Sequence, residues 1–545
     1  MGMSMPSPPD FTALDWLYTT RLSSDSIITA ERLDFLAHFT SENGMGTFLA
    51  PETLKERQEI IRQDEAAVEH HLAKESSIPV GCLHTIEPSM LHVDVNPIMA
   101  RSFEILHHLH STVTRKTDRS VVKFDWTAEV ERQCRTFFAS GNITRFLRYF
   151  WSLWYPNCPF IHRASFNANT APIALLCVML LIGACLSPHS VDANKARMWL
   201  DCVEELAFSD SSFCEETGGG TGAILSSSVD RKKKRLECIQ TAYLVCSLQK
   251  REGSADARAR VRRYRNATMV MLARDVGLAT ASHRDLSMDK PSEMWWQQFA
   301  VEEGLIRSDP HKSSSQSNTL TTSRTMTYVF LFDAALTIFH NSPPRMVVSE
   351  LKMELACPEA CFQAESAEEC FAALKEWEHT TFWRRHLPLV AVVKSICEKE
   401  PSPKTASEYA KMGTLNLFTA VQSLHSLTFH LQNSLIFEST LAPIERGLEN
   451  WRQIWERREA EDKHVHNTPG SLWKKVGFIS YSPEFWHLAR IIVERIHDDD
   501  ATAETATSPE VTGTVNAAKM RYDHTDMTDV NGLIMEYRRF CLGPA

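Results

Sequence analysis

No Cys-x-x-Cys pair occurs anywhere in this sequence, although it holds 14 cysteines among its 545 residues. Closely paired cysteines are what structural zinc modules and redox motifs are built on, so that absence removes both. The N-terminus lacks the charged and apolar regions of a secretory signal. Single cysteines at apolar positions, such as Cys177, Cys185, Cys238 and Cys246, then read as small hydrophobes in a reducing compartment. There is no GxSxG, no HExxH and no strand-linked GxGxxG, and no P-loop, since Gly44, Gly46 and the run Gly218–Gly222 lack a following Lys and an incoming strand. No segment alternates with period two between hairpin turns, and no fixed-period repeat is visible. Positive charge is also short, because the formal net charge is −10. A surface of that sign does not invite phosphate.

What the sequence does have is helical periodicity. The stretch from Asn142 to Leu186 is the most informative. Ile143, Phe146, Leu147, Phe150 and Trp154 fall at helical spacing, with Arg145 and Arg148 on the other face, and Pro156 and Pro159 end the helix. Sixteen uncharged residues follow, Ala171 to Leu186. A bilayer needs about 20 apolar residues, so this run reads as a buried core helix and no membrane span is expected.

Around this anchor the chain reads as helices separated by polar breaks. A helix from Ile28 places Leu33, Leu36 and Phe39 on one face and stops at Asn43-Gly44, and Pro51 to Lys74 forms a second. His107, His108 and His110 are neighbours that point different ways, so solvated side chains are the expectation. Arg231, Lys232, Lys233, Lys234 and Arg235 are five consecutive cations ahead of the stripe Leu236, Ile239, Tyr243 and Cys246, and form the candidate nuclear import signal. Arg258, Arg262 and Arg265 share a face, opposed by a core stripe of Val261, Tyr264, Thr268, Met271 and Leu272, so a solvated or carboxylate-paired face is expected. Ser308 to Arg324 is polar and aperiodic, an inserted loop. Asp333 interrupts an apolar helix and needs a partner, for which Arg307 and Arg345 are the candidates in a structural ion pair. Cys357 and Cys361 are separated by three residues, but His379 and His386 are separated by six and fit no finger. Ser482-Pro483-Glu484 is a helix start with Ser as N-cap. The residues from Asp498 to Asn516 read as a linker.

Several blocks resemble one family. YFWSLWYPNCPFIHRASF with the apolar helix after it, SPHSVDANKARMWLDCVEELAFS, LECIQTAYLVCSLQ, TMTYVFLFDAALTIFHNSPPRM and SYSPEFWHLARII are similar to the fungal-specific transcription factor regulatory domain. The resemblance covers residues 28 to 497 approximately and implies an all-α, large multi-helix regulatory domain. It would comprise a disordered tail (1–27), a helical segment and connector (28–120), the core (121–400, with the insertion 308–324), a C-terminal helical part of the same body (401–497), and a linker with a short flexible tail (498–545). It also implies a nuclear regulator of RNA polymerase II transcription. Family members usually carry an N-terminal zinc-dependent DNA-binding domain, which this sequence does not show. DNA would then be reached through a missing domain or a DNA-bound partner, as a homo- or heterodimer, with the transcription machinery as a further partner. No catalytic, cofactor-binding or metal-binding residue and no cofactor are expected, and a helical scaffold outside transcription is the rival reading.

Overall fold

The computed structural model describes residues 32–41, 48–75, 97–213, 228–280, 291, 323–434, 440–458, 465–505 and 527–542. Its α-helices of six residues or more are, in order, α1 Asp34–Phe39, α2 Pro51–Glu75, α3 Pro97–Thr114, α4 Ala128–Phe137, α5 Ser140–Tyr149, α6 Ile173–Cys185, α7 Ser190–Arg197, α8 Leu200–Phe208 and α9 Ser228–Glu252. There follow α10 Ala255–Arg260, α11 Asn266–Val276, α12 Ser323–His340, α13 Ala367–Glu378, α14 Leu389–Glu398, α15 Pro403–Tyr409, α16 Thr414–Gln432, α17 Ala442–Glu456, α18 Ser482–Thr505 and α19 Thr528–Leu542. Among the described residues there is no strand, only an isolated bridge between Glu354 and Pro388. The fold is all-α, as the sequence pattern and the resemblance imply.

Two helices organise the body. The first is α6, apolar on every side and buried along nearly its whole length. Its 13 residues rise about 20 Å, short of a ~30 Å hydrocarbon core. No described helix is long and apolar enough to cross a membrane. Because α6 has no polar face to leave in water, α5, α7, α8 and α9 pack around it. The approach of α5 is close because residue 183 is glycine: a Cβ there would stand 2.0 Å from the Phe146 carbonyl oxygen.

The second organiser is α16, which lies among α12, α14, α17 and α18. It is buried although it carries Thr419, Ser423, His425 and Thr428. Its hydroxyls donate back to the carbonyls four residues earlier: Thr419 to Leu415 (2.7 Å), Ser423 to Thr419 (2.8 Å) and Thr428 to Leu424 (2.9 Å). These three hydroxyls thus enter the core already satisfied.

A run of rings joins the two halves. Phe478 packs on Phe35, Phe39, Phe48, Phe418 and Phe485, and Phe48 meets the edge of Trp154 at 4.8 Å. The chain can pass there because Gly477 leaves room for Pro156 and Asn157; a Cβ would lie 2.5 Å from Asn157 Oδ1 and from the Pro156 carbonyl. Asn157 Oδ1 accepts from the Phe478 amide at 3.0 Å.

Three expectations are corrected. The linker placed from 498 begins later, since α18 continues to Thr505, and the tail beyond it contains α19, whose Val530, Leu533 and Ile534 are buried. Apolar residues three and four apart outweigh the acidic stretch ahead of them. The insertion 308–324 reaches too far: 308–322 lies outside the described residues, but Ser323 opens α12 and Arg324 is fully buried. Ser482 lies inside the start of α18 and donates its hydroxyl to the Ile479 carbonyl (2.6 Å), while Glu484 reaches away to α1. The expected N-terminal tail lies outside the described residues.

The α5–α6 contact gives a direct test. Gly183→Ala should lower stability by at least about 1–3 kcal/mol, because backbone has to move to admit the methyl group. Gly141→Ala, whose Cβ would meet nothing within 4 Å, should be neutral or stabilising by up to about 1 kcal/mol. Chemical unfolding of the two variants beside the parent protein checks the difference.

Candidate regulatory site

The arginine-rich segment determines how charge enters the core. Ser254 caps α10, accepting from the Ala257 amide, and the helix then widens into one π-turn at Val261–Arg265 before α11 resumes. A wider turn turns through less angle per residue, so every side chain beyond it is displaced around the axis. The expected core stripe is therefore corrected. Val261 and Leu272 are buried, but Tyr264 and Met271 are 65 % and 63 % exposed, while Arg262 is 2 % and Met269 0 % exposed. The structure places Arg258, Arg262 and Arg265 on no shared solvated face.

The cations turned inward meet Glu204, which is fully buried on α8. Its Oε1 accepts from Arg260 Nε and Arg265 Nε, both at 2.8 Å, and its Oε2 accepts from Arg260 Nη2 (2.8 Å) and Gln249 Nε2 (2.9 Å). Asp201 takes a further bond from Arg260 Nη2 (3.0 Å), and the Arg265 guanidinium lies over Phe208, 4.4 Å from the ring centre. Both carboxylate oxygens are saturated, which is the condition for burying such a group.

One residue along α9, the buried Lys250 Nζ stands 2.7 Å from His340 Nε2. Burial lowers the lysine from its ordinary 10.5 to about 7, and Arg262 and Arg258 add to the shift. On α12 with His340, Asp333 is buried, and Arg345 serves it through the backbone amide without the expected guanidinium pair. Its Oδ1 accepts from Asn266 Nδ2 (2.7 Å) and its Oδ2 from the backbone amides of Arg345 (2.8 Å) and Met346 (2.9 Å). The Arg345 guanidinium instead donates to the Arg263 carbonyl (2.9 Å) and, at longer range, to that of Arg262 (3.4 Å). A π-turn displaces carbonyls from their usual partners, and Arg345 reaches them. Burial outweighs these donors and raises the Asp333 carboxyl above its ordinary range. Arg307, the other candidate, lies outside the described residues.

A second buried arginine stands where the sequence reads as the end of the inserted loop. Arg324, at the start of α12, donates to Glu359 Oε1 (2.8 Å), to the Cys357 carbonyl (2.9 Å) and to the Pro159 carbonyl (3.2 Å). It also lies 4.2 Å above the Phe362 ring. A cation in the first turn opposes the helix dipole, and that was the available signal that it had an anion to meet. Nearby, burial and then Arg324 lower His162 to about 4.

The remaining sequence candidates are spread apart. Lys233 and Lys234 are exposed in the first turns of α9, within reach of Asp210 in the case of Lys234 (3.5 Å). Arg235 is half-buried, 3.5 Å from Asp275, and the side chains of Arg231 and Lys232 lie outside the described residues. All five positions are thus helical, and Lys233 and Lys234 are more exposed than Arg235. Cys357 and Cys361 pack with Cys370, Phe362, Phe371, Leu374 and Trp377 in a small second core. His379 is exposed and His386 Nδ1 faces Glu354 at 3.1 Å. His107, His108 and His110 are exposed on α3, with His110 against the Trp126 ring. Among the described residues no three His, Cys, Asp or Glu side chains converge on a point that could hold a metal.

The body is all-helical among the described residues, and Arg260, Arg265 and Arg324 are spent on internal carboxylates. The family model for the fungal specific transcription factor domain matches residues 147–453. Transcription factor verF of Penicillium polonicum is 33 % identical over 574 aligned residues, covering 99 % of this chain and 75 % of that protein. No solved structure matches. The chain belongs to the fungal specific transcription factor domain family and is a fungal transcription regulator.

Two measurements test the buried charges. Glu204→Ala leaves two arginines facing one another and should cost about 3–5 kcal/mol, whereas Lys394→Ala, which removes an exposed pair with Glu398, should stay within about 0.5 kcal/mol. The second concerns pH. Since the folded chain holds the Lys250 proton less tightly than the unfolded one, the unfolded state carries more protons above about 7, and stability contributed at this site rises with pH there. Thermal unfolding should accordingly shift in favour of the parent protein over Lys250→Met between about pH 7 and 9, and not below.

Proposed function

We propose that this chain acts in the nucleus as the regulatory body of the transcription regulator, and that it acts on RNA polymerase II transcription by contacts rather than by catalysis. DNA is read elsewhere, by a zinc domain or by a DNA-bound partner with which the chain forms a homo- or heterodimer. The observation that carries this reading is the use of the arginine segment. Arg260 and Arg265 bind Glu204, and Arg262 is buried, so the arginine-rich segment serves the interior of the body. A net charge of −10 points the same way.

Tethering tests it. Fused to an unrelated DNA-binding domain, the chain should change transcription of a reporter bearing that domain's site, and Glu204→Ala should abolish the change. A stably expressed fusion that leaves the reporter untouched would favour a scaffold outside transcription.

Nuclear entry is assigned to Arg231, Lys232, Lys233, Lys234 and Arg235, on the grounds of five contiguous cations and the exposure of Lys233 and Lys234. With all five replaced by alanine, a fluorescent fusion should lose most of its nuclear accumulation. Unchanged accumulation places the signal elsewhere.

A further inference from the structure

The two ends of the described chain meet. Helix α1 has six residues, too few to be stable alone, and its N-cap residue Leu33 supplies no side-chain acceptor. Its first-turn amides are served from the far end of the chain. Glu484 Oε1 accepts from the Phe35 amide (3.2 Å) and Oε2 from the Leu36 amide (2.8 Å). At the other end of α1, Asn531 of α19 donates to the Ala37 carbonyl (3.1 Å) and the Thr40 hydroxyl (2.9 Å). Arg538 of α19 pairs with Asp34 at 2.8 Å. The Phe35 ring stacks on Tyr481, with centroids 3.6 Å apart and the planes nearly parallel.

The N-terminal end of α1 has its side-chain acceptor from α18, and at the C-terminal end, where Thr40 and Ser41 already donate to the Leu36 and His38 carbonyls, Asn531 of α19 adds a donor. The dependence runs both ways, because α19 rests on α1 and α12, with Asn531 and Arg538 bonded to α1 and Tyr537 to His487 of α18. We propose that α1, Glu484 and α19 form a clasp that couples the two ends of the chain, so that release of either terminal helix loosens the other. A partner that takes α19 loosens α1, and one that takes α1 loosens α19. The inference goes beyond the proposed function and stands independently of it.

Hydrogen–deuterium exchange on the full chain tests the coupling. In Glu484→Ala, exchange at the Phe35 and Leu36 amides should accelerate at least about tenfold, and exchange across α19 should accelerate with it. Glu484→Gln retains one carbonyl acceptor and should restore most of the protection at both ends. In the pair Asn531→Ala with Arg538→Ala, which leaves the buried Val530 and Ile534 in place, exchange across α1 should rise likewise. The proposal is overturned if α19 in Glu484→Ala exchanges like the parent protein, or if α1 is undisturbed in the paired α19 variant. Unfolding of a variant would show as accelerated exchange in α6, and a variant that leaves α6 protected gives a local result.

Discussion

A helix with no polar face has to be wrapped, and that constraint at α6 governs the rest of the molecule. Leu175 to Cys185 present apolar surface in every direction, so α5, α7, α8 and α9 are drawn around them. Wrapping at this distance needs Gly183 under the Phe146 carbonyl, and it places α8 and α9 side by side. Glu204 and Gln249 then face one another in the interior and require donors. The arginine segment supplies them. Burial of apolar surface thus sets where the charges go, and the charges set which way the arginine helix turns.

The π-turn at Val261–Arg265 is the device that reconciles these demands. A regular helix carrying Arg260 to Glu204 would continue with Tyr264 toward the core. The wider turn keeps Arg260 and Arg265 on the same carboxylate and brings Asn266 to Asp333. Arg345, returning after α12, meets the displaced carbonyls with its guanidinium and Asp333 with its amide. The segments 200–208, 249–276 and 333–346 are consequently held by one set of polar bonds rather than by separate pairs. Tyr264 and Met271 are left in water.

Much of the fold was legible. The uncharged length of Ala171–Leu186, the proline stops at Pro156 and Pro159, and the stripe Leu236, Ile239, Tyr243 and Cys246 all carry simple periodic signals, and each proved buried or helix-ending as expected. The failures have physical causes. A π-turn has no compositional mark, so a stripe counted at 3.6 residues per turn goes out of phase beyond it. Asp333 was rightly singled out as needing partners, but backbone amides donate as well as guanidinium groups do and leave no trace in charge patterning. Arg324 was assigned to a loop because the polar residues ahead of it dominated. The helix start at Ser482–Glu484 reads correctly from the sequence, yet Ser482 does not cap it and Glu484 serves α1, some 449 residues away, which no local rule could show. Burial of the hydroxyl-bearing α16 depended on bonds to its own backbone, which hydropathy does not register.

The register of the arginine helix is the claim on which the account rests. Hydroxyl-radical footprinting read by mass spectrometry compares two methionines in one helix without any substitution. Met271 stands in solvent and Met269, two residues earlier, is fully enclosed. The account predicts rapid oxidation of Met271 and Tyr264 with Met269 protected while the chain stays folded. Rapid oxidation of Met269 with Met271 and Tyr264 protected would contradict it, and would return the arginines to the surface.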